Sequence, residues 1–143
     1  MSILVLKFGG TSVATTKVIK SAANIVKKEY DAGHDIAVVV SAMAGTTNSL
    51  IQFVNEINSE DDSEYDVVVS SGEQITSGLM SLALKKIGVP ARSWLGWQLP
   101  ILTSSSHRNA MIENIIPDKI LEGFKKKIVA VLAGFQGLSI EDR

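Results

Sequence analysis

Four short stretches of the chain bring together glycines, hydroxyls and single charges in patterns that suit phosphate and amino-acid chemistry. The first is Lys7-Phe8-Gly9-Gly10-Thr11-Ser12. Two adjacent glycines let a backbone turn sharply and approach a ligand closely, because no Cβ is in the way. Free N–H groups at a following helix start favour an anion, and Lys7, just before the turn, adds a full positive charge. A phosphate suits such a corner, although a plain strand–turn–helix corner with a surface lysine uses the same residues. The second stretch is Ser41-Ala42-Met43-Ala44-Gly45-Thr46-Thr47-Asn48. Small and hydroxylic residues at the carboxyl end of a buried strand are what a ligand site in an open α/β sheet needs. Thr46 or Thr47 can also cap the next helix, and capping is the expected job for one of the two. The third is Ser70-Ser71-Gly72-Glu73, where Glu73 is either a helix-start glutamate or a carboxylate aimed at a cationic group such as an ammonium. The fourth is Gly134-Phe135-Gln136-Gly137, a second glycine turn.

The elements that must carry these stretches follow from hydrophobic periodicity. Ile3 to Leu6 read as a short buried strand leading into the first turn. Residues 12–32 read as a helix with Val18, Ile19, Ala22, Ala23, Val26 and Tyr30 on one face, stopped by Gly33. The lysines on its other side are expected to be a solvated face. Ile36 to Val40 form a continuous β-branched run, the signature of a parallel strand covered on both sides. The next helix carries Leu50, Ile51, Val54 and Ile57 on one face. Residues 58–64 are polar and acidic, a surface loop whose carboxylates are either solvated or a magnesium site.

From Tyr65 to Ile87 the pattern predicts a helix, a break at Ser71-Gly72, and a second helix opening at Glu73 and stopped by Gly88 and Pro90. A carboxylate in that first turn would be favoured by the helix dipole. Residues 91–116 read as short strands and turns: Ala91 to Leu95, then Ile101-Leu102, then a third strand within Arg108 to Ile116. Trp94 and Trp97 are expected to pack, and His107 to be an ordinary loop histidine. Pro117 opens a short helix with Ile120, Leu121 and Phe124 inward. Ile128 to Ala133 is a final apolar strand with no helix after it to cover it, so its exposure is expected to favour dimerisation or aggregation.

Composition narrows the function class. The chain has 143 residues, 45% hydrophobic and 20% charged, which suits one soluble globular domain with a real core. A net charge of -1 provides no global basic field for nucleic acid or acidic lipid. With no cysteine, disulfides, thiol catalysis and cysteine-ligated zinc are excluded. His34 and His107 lie far apart, without metal-ligand spacing. No apolar run approaches a membrane span and no secretory signal is visible, so the cytoplasm is the expected compartment.

The stretches Lys7-Phe8-Gly9-Gly10-Thr11-Ser12-Val13, Val40-Ser41-Ala42-Met43, Thr46-Thr47, Ser71-Gly72-Glu73 and Ala133-Gly134-Phe135-Gln136-Gly137 occur in the order found in aspartokinases of the amino-acid kinase superfamily. The chain resembles them over essentially its whole length. The first motif with the Ser-Ala-Met strand end is specific to aspartokinases within that superfamily. The resemblance implies an α/β fold, a three-layer α/β/α sandwich with a mainly parallel sheet. It also implies transfer of the γ-phosphoryl of ATP, with Mg2+, to the side-chain carboxylate of L-aspartate. The product, 4-phospho-L-aspartate, feeds lysine, threonine, methionine and diaminopimelate synthesis. Carried over by motif, Lys7, Phe8, Gly9 and Gly10 would face ATP, with Lys7 stabilising the transferring group. Ser41, Thr47 and Glu73 would hold aspartate, Glu73 meeting its ammonium, and Phe135 would line the same pocket.

The chain also departs from the family. It ends before the Gly-Arg-Gly-Gly-Ser-Asp stretch that follows in aspartokinases. The nucleotide-binding half and the regulatory ACT domains are missing as well. Ala14, Ala44-Gly45 and Ser104 are smaller departures. The resemblance therefore implies an N-terminal portion that is inactive alone and homo-oligomeric in the full-length enzyme. Two alternatives stay open: another member of the superfamily with a different substrate, and a non-catalytic truncated module that serves as an assembly partner.

Overall fold

A computed structural model describes residues 2–58 and 60–140. Strand β1 (Ile3–Phe8) passes through a 3₁₀ turn (Gly10–Val13) into helix α1 (Thr16–Asp31). Then come β2 (Asp35–Val40), α2 (Thr46–Ile57), α3 (Asp62–Lys86), β3 (Ala91–Trp94), β4 (Ile101–Thr103), β5 (Ile112–Ile115), α4 (Asp118–Lys125) and β6 (Val129–Ala133). The main sheet has the order β1-β2-β6-β3, and every pair is parallel. β4 and β5 form a separate antiparallel pair.

The β-branched runs fill this sheet because both of its faces are covered near the centre. On one face Ile36, Val38, Val40, Val129 and Val131 pack with Ile19 and Val26 of α1 and with Met80 and Leu84 of α3. On the other, Trp94 and Ala130 pack with Ile120 and Phe124 of α4. The layers are therefore helix, sheet, helix, as expected of the α/β fold. β1 is thinly covered: Leu6 and Phe8 join the first core, while Ile3 and Val5 on its other side are exposed.

Several expectations need correction. The first helix starts at Thr16 rather than residue 12, because Thr15 is extended and its side chain accepts the Val18 N–H. Neither Thr46 nor Thr47 caps α2. Gly45 is the N-cap, with a φ of 82° and no side-chain hydrogen bond. Only Val54 of the expected α2 face is fully buried, and Ile57 is 88% exposed. The acidic loop is shorter than 58–64, because Asp61 accepts from the Ser63 and Glu64 N–H groups and starts α3 at Asp62. Ser59, within that expected loop, lies outside the described residues.

α3 is one helix of 25 residues, with no break at Ser71-Gly72. The serines stay helical because their hydroxyls donate back to the Val67 and Val68 carbonyls. Glu73 is thus in mid-helix, remote from the dipole's positive end. Leu121 is half exposed, while Ile120 and Phe124 are buried as expected. The last strand is not exposed: β6 sits between β2 and β3, covered by helices on both faces. No described helix is long and apolar enough to cross a membrane.

Candidate active site

The parallel register brings three of the four motifs side by side. Phe8 pairs with Val40 and Val40 with Ala133, so β1, β2 and β6 end together. The turn residues Gly9, Ser41 and Gly134 follow at once. The Ser41 N–H donates to the Phe8 carbonyl at 3.1 Å and the Gly134 N–H to the Val40 carbonyl at 2.9 Å. Main chain alone sets these positions.

Ala42 lies at the centre of the arrangement, and glycines surround it for want of room. A Cβ on Gly10 would stand 3.2 Å from the Ala42 carbonyl oxygen, and one on Gly72 2.8 Å from the Ala42 Cβ. A Cβ on Gly134 would stand 2.9 Å from the Val40 carbonyl oxygen. Gly72 is therefore the glycine that lets α3 approach the strand end, not a helix breaker. It also sets Thr46 at the start of α2 beside α3, with Thr47 next to it.

That approach delivers Glu73, whose Oε1 accepts the Ala42 N–H at 3.1 Å. The side chain is buried, and Oε2 has no hydrogen-bond partner among the described residues. Burial pushes the Glu73 carboxyl above the usual carboxylate range, and the Ala42 N–H partly opposes the shift. An unpartnered buried carboxylate oxygen is costly. It is also a ready acceptor for an ammonium or N–H group brought by a ligand.

Lys7 is at the same strand end but on the other face of the sheet from Phe8, which packs into the core. Its side chain is exposed and makes no hydrogen bond or ion pair with the described residues, so its charge is available to an anion. The N–H groups beyond it belong to a 3₁₀ turn rather than an α-helix.

Phe135 takes a φ of 50°, a left-handed conformation that is rare for an aromatic residue and typical of over-determined sites. It lines a cavity of about 700 Å³ between α3 and the β4–β5 pair. Ser70, Gln74, Trp97, Thr103 and His107 line it too. Of the eight residues expected from sequence, Phe135 alone reaches this cavity. Gly10, Ser41 and Glu73 gather around Ala42 instead, and Thr47 follows Thr46, which lies beside Gly72.

Some structural residues of this region were not foreseen. Gln136 joins three segments: its Oε1 accepts the Gly96 N–H at 2.8 Å and its Nε2 donates to the Ser70 carbonyl at 3.3 Å. His107 is more than a loop histidine, with Nδ1 2.8 Å from Asp66 Oδ2. Arg108 pairs with Asp62 at 2.7 Å and lies over the Tyr65 ring at 4.0 Å. Trp97 does not pack; it is exposed at the cavity. Gln136 could have been suspected from its place between two glycines. The Asp66–His107 pair spans 41 residues and has no local signature. Among the described residues no group of three or more His, Cys, Asp or Glu side chains could hold a metal ion, the acidic start of α3 included.

The amino acid kinase family matches residues 2–143. The aspartokinase of Rickettsia bellii is 43% identical over 147 residues, covering all of this chain and 36% of that protein. The chain thus spans about a third of the length of the curated relatives it matches. Among solved structures, aspartate kinase from Synechocystis superposes with a TM-score of 0.79 at 37% identity, over 94% of this chain and 22% of that one. E. coli aspartokinase III, solved with aspartate and ADP, superposes with a TM-score of 0.83 at 20% identity, over 100% of this chain and 42% of that one, a likeness of fold.

Proposed function

Because the chain belongs to the amino acid kinase family, we propose that it forms the aspartate- and phosphate-facing part of a cytoplasmic aspartate kinase. The reaction transfers the γ-phosphoryl of ATP to L-aspartate. An oxygen of the side-chain carboxylate attacks the γ-phosphorus, the bond to the β,γ-bridging oxygen breaks, and ADP leaves with that electron pair. Such transfers need positioning and charge neutralisation more than covalent help from the protein.

The observation that carries this reading is the convergence of motifs on Ala42. Three strand ends stand abreast, glycines leave their backbone bare, and a buried carboxylate with an unused oxygen faces them. In this reading Glu73 Oε2 receives the ammonium of aspartate, and Ser41 and Thr47 donate hydroxyls to its carboxylates. The bare N–H groups at Gly9 and Gly10 receive phosphate oxygens, and Lys7 neutralises charge on the transferring group. Phe135 lines the neighbouring cavity between α3 and the β4–β5 pair and is given no contact with aspartate in this reading. Among the described residues no three or more acidic or histidine side chains gather to form a dedicated magnesium cage, so the metal would arrive bound to ATP. The parent enzyme would be a homo-oligomer, and the remaining nucleotide contacts would come from the rest of the longer protein.

The test is an amide-shift titration of the 143-residue chain with L-aspartate, with L-glutamate and UMP alongside. Shifts centred on Ser41, Ala42, Thr47 and Glu73, and confined to aspartate, are expected. No response, or an equal response to glutamate, would sink the assignment. Glu73→Gln should abolish the aspartate response without loss of fold. A carboxyl whose folded pKa is raised adds stability that is complete below its unfolded pKa and is lost as pH rises through its folded value. At pH 7 the variant is therefore expected to melt no lower than the parent, with any advantage vanishing in acid.

A further inference from the structure

The cavity between α3 and the β4–β5 pair has no part in the reaction proposed for the corner at Ala42, yet it is lined like a ligand site. Its volume of about 700 Å³ falls within the usual range of small-molecule pockets. Trp97 and Phe135 both line it, and they are 63% and 58% exposed. Two aromatic faces are thus left to water on one concave surface. Phe135 stands there in a left-handed backbone conformation, which costs free energy while the ring gains little packing.

The polar groups of the lining share one character. Asp66 Oδ2 faces His107 Nδ1 at 2.8 Å and accepts the Arg108 N–H at 3.1 Å, while Oδ1 has no partner among the described residues. A carboxylate only accepts, so His107 Nδ1 carries the proton of that bond, and Nε2 of the neutral ring is an acceptor. Among the described residues that Nε2 has no partner, and neither do the Thr103 hydroxyl and the Gln74 amide, all on the same lining. Arg108, the cation of the lining, is already paired with Asp62 at 2.7 Å and lies over Tyr65. Unpartnered acceptors, a carboxylate and two ring faces disfavour an anion and favour a cation.

We propose that this cavity binds an organic ammonium carried on a flat apolar body, at a site separate from the corner at Ala42. The flat body rests against Trp97 and Phe135. Asp66 holds the ammonium, and His107 Nε2, Thr103 and Gln74 are acceptors for its other N–H groups. Glu73 does not line this cavity, so the proposal stands independently of where aspartate binds.

An amide-shift titration of the 143-residue chain with three indoles of different charge tests this: tryptamine, tryptophol and indole-3-acetate. Tryptamine is expected to bind with a Kd of about 1 mM or tighter, moving the signals of Trp97, Thr103, His107 and Phe135. Tryptophol should bind about tenfold more weakly, for want of a charge-assisted hydrogen bond, and indole-3-acetate should not bind. Trp97→Ala should weaken tryptamine about tenfold without moving the melting temperature, because the ring is exposed. Asp66→Asn should bring tryptamine down to the affinity of tryptophol. A hairpin that was merely loosened would weaken both indoles alike and keep the preference. No response at ten times the expected Kd would overturn the proposal, as would equal binding of indole-3-acetate, a preference that survives Asp66→Asn, or shifts centred on Ala42 and Glu73. An aspartate response at Ala42 with none to tryptamine would remove this site and leave the corner standing.

Discussion

The corner at Ala42 and the β4–β5 pair both rest on α3, yet they are held there by different forces. At the corner the contacts are backbone and Cβ: strand ends in register, glycines whose absent side chains let neighbours close in, and one buried carboxylate on a main-chain N–H. The β4–β5 pair consists of strands of three and four residues, and all of β5 is exposed. Main-chain bonds from Ile101 and Thr103 to Leu138 fix one end of it. The other end is held to α3 by His107 on Asp66 and Arg108 on Asp62, pairs that are partly open to water. Steric exclusion is insensitive to salt and leaves few alternative arrangements. A partly exposed ion pair such as Arg108–Asp62 is weak and screened by salt, and a partly exposed hydrogen bond such as His107–Asp66 adds little more. The lesson is that one wall of the candidate site is built to stay and the other is built to yield.

Three substitutions would break or sharpen this contrast. The largest effect is expected from Lys7→Ala in an active protein that contains this chain. Aspartate-dependent ADP release should fall about 10²- to 10³-fold, the usual cost of removing one electrostatic donor to a reacting group. Melting temperature should not move, because Lys7 holds nothing else in place. Turnover within tenfold of the parent would remove Lys7 from its role. Next comes Gly134→Ala, which sets a methyl against the Val40 carbonyl oxygen. Overpacking of this kind costs about 1–3 kcal/mol, readable by urea denaturation. An unchanged midpoint would mean that the corner yields after all. The smallest effect is Asp66→Asn, which removes the charged partner of His107. A loss of about 0.2–1 kcal/mol is expected, seen as faster amide exchange in β5 with exchange in β2 unchanged. Equal acceleration in both strands would erase the distinction between the walls.

The corner was largely legible in the sequence, because its determinants are local. Glycines at the end of an apolar strand announce a close approach, and Gly10 and Gly134 make one, whereas a Cβ on Gly9 would meet nothing within 4 Å. Gly72 was legible as a residue that matters and misread as a helix break. The same missing Cβ that ends some helices lets this one pack on Ala42, and only the tertiary neighbour distinguishes the two. Glu73 consequently looked like a dipole-stabilised group and is instead a buried one with an oxygen that has no hydrogen-bond partner among the described residues. The position of β6 was missed for a related reason. Periodicity marks a buried strand but says nothing of its neighbours, so the final strand looked like an edge when it is an interior member. The wall at His107 and Arg108 could not be read at all. Its partners are some forty residues away, and nothing in the local pattern of either segment marks the pairing.

The interior place of β6 has a consequence for how the chain is made. Among the described residues, β2 receives its second neighbour, and β3 its only one, when residues 129–133 arrive. About ninety residues separate the end of β2 from the start of β6, which at synthesis rates of 5–20 residues per second is roughly 5–20 s. For that interval the nascent chain carries a half-built sheet with a bare, strongly apolar edge at Ile36 to Val40. Such an edge invites pairing with other chains, so a ribosome that stalls before Ala133 leaves a sticky intermediate, and holding it apart until β6 slots in becomes a task for chaperones.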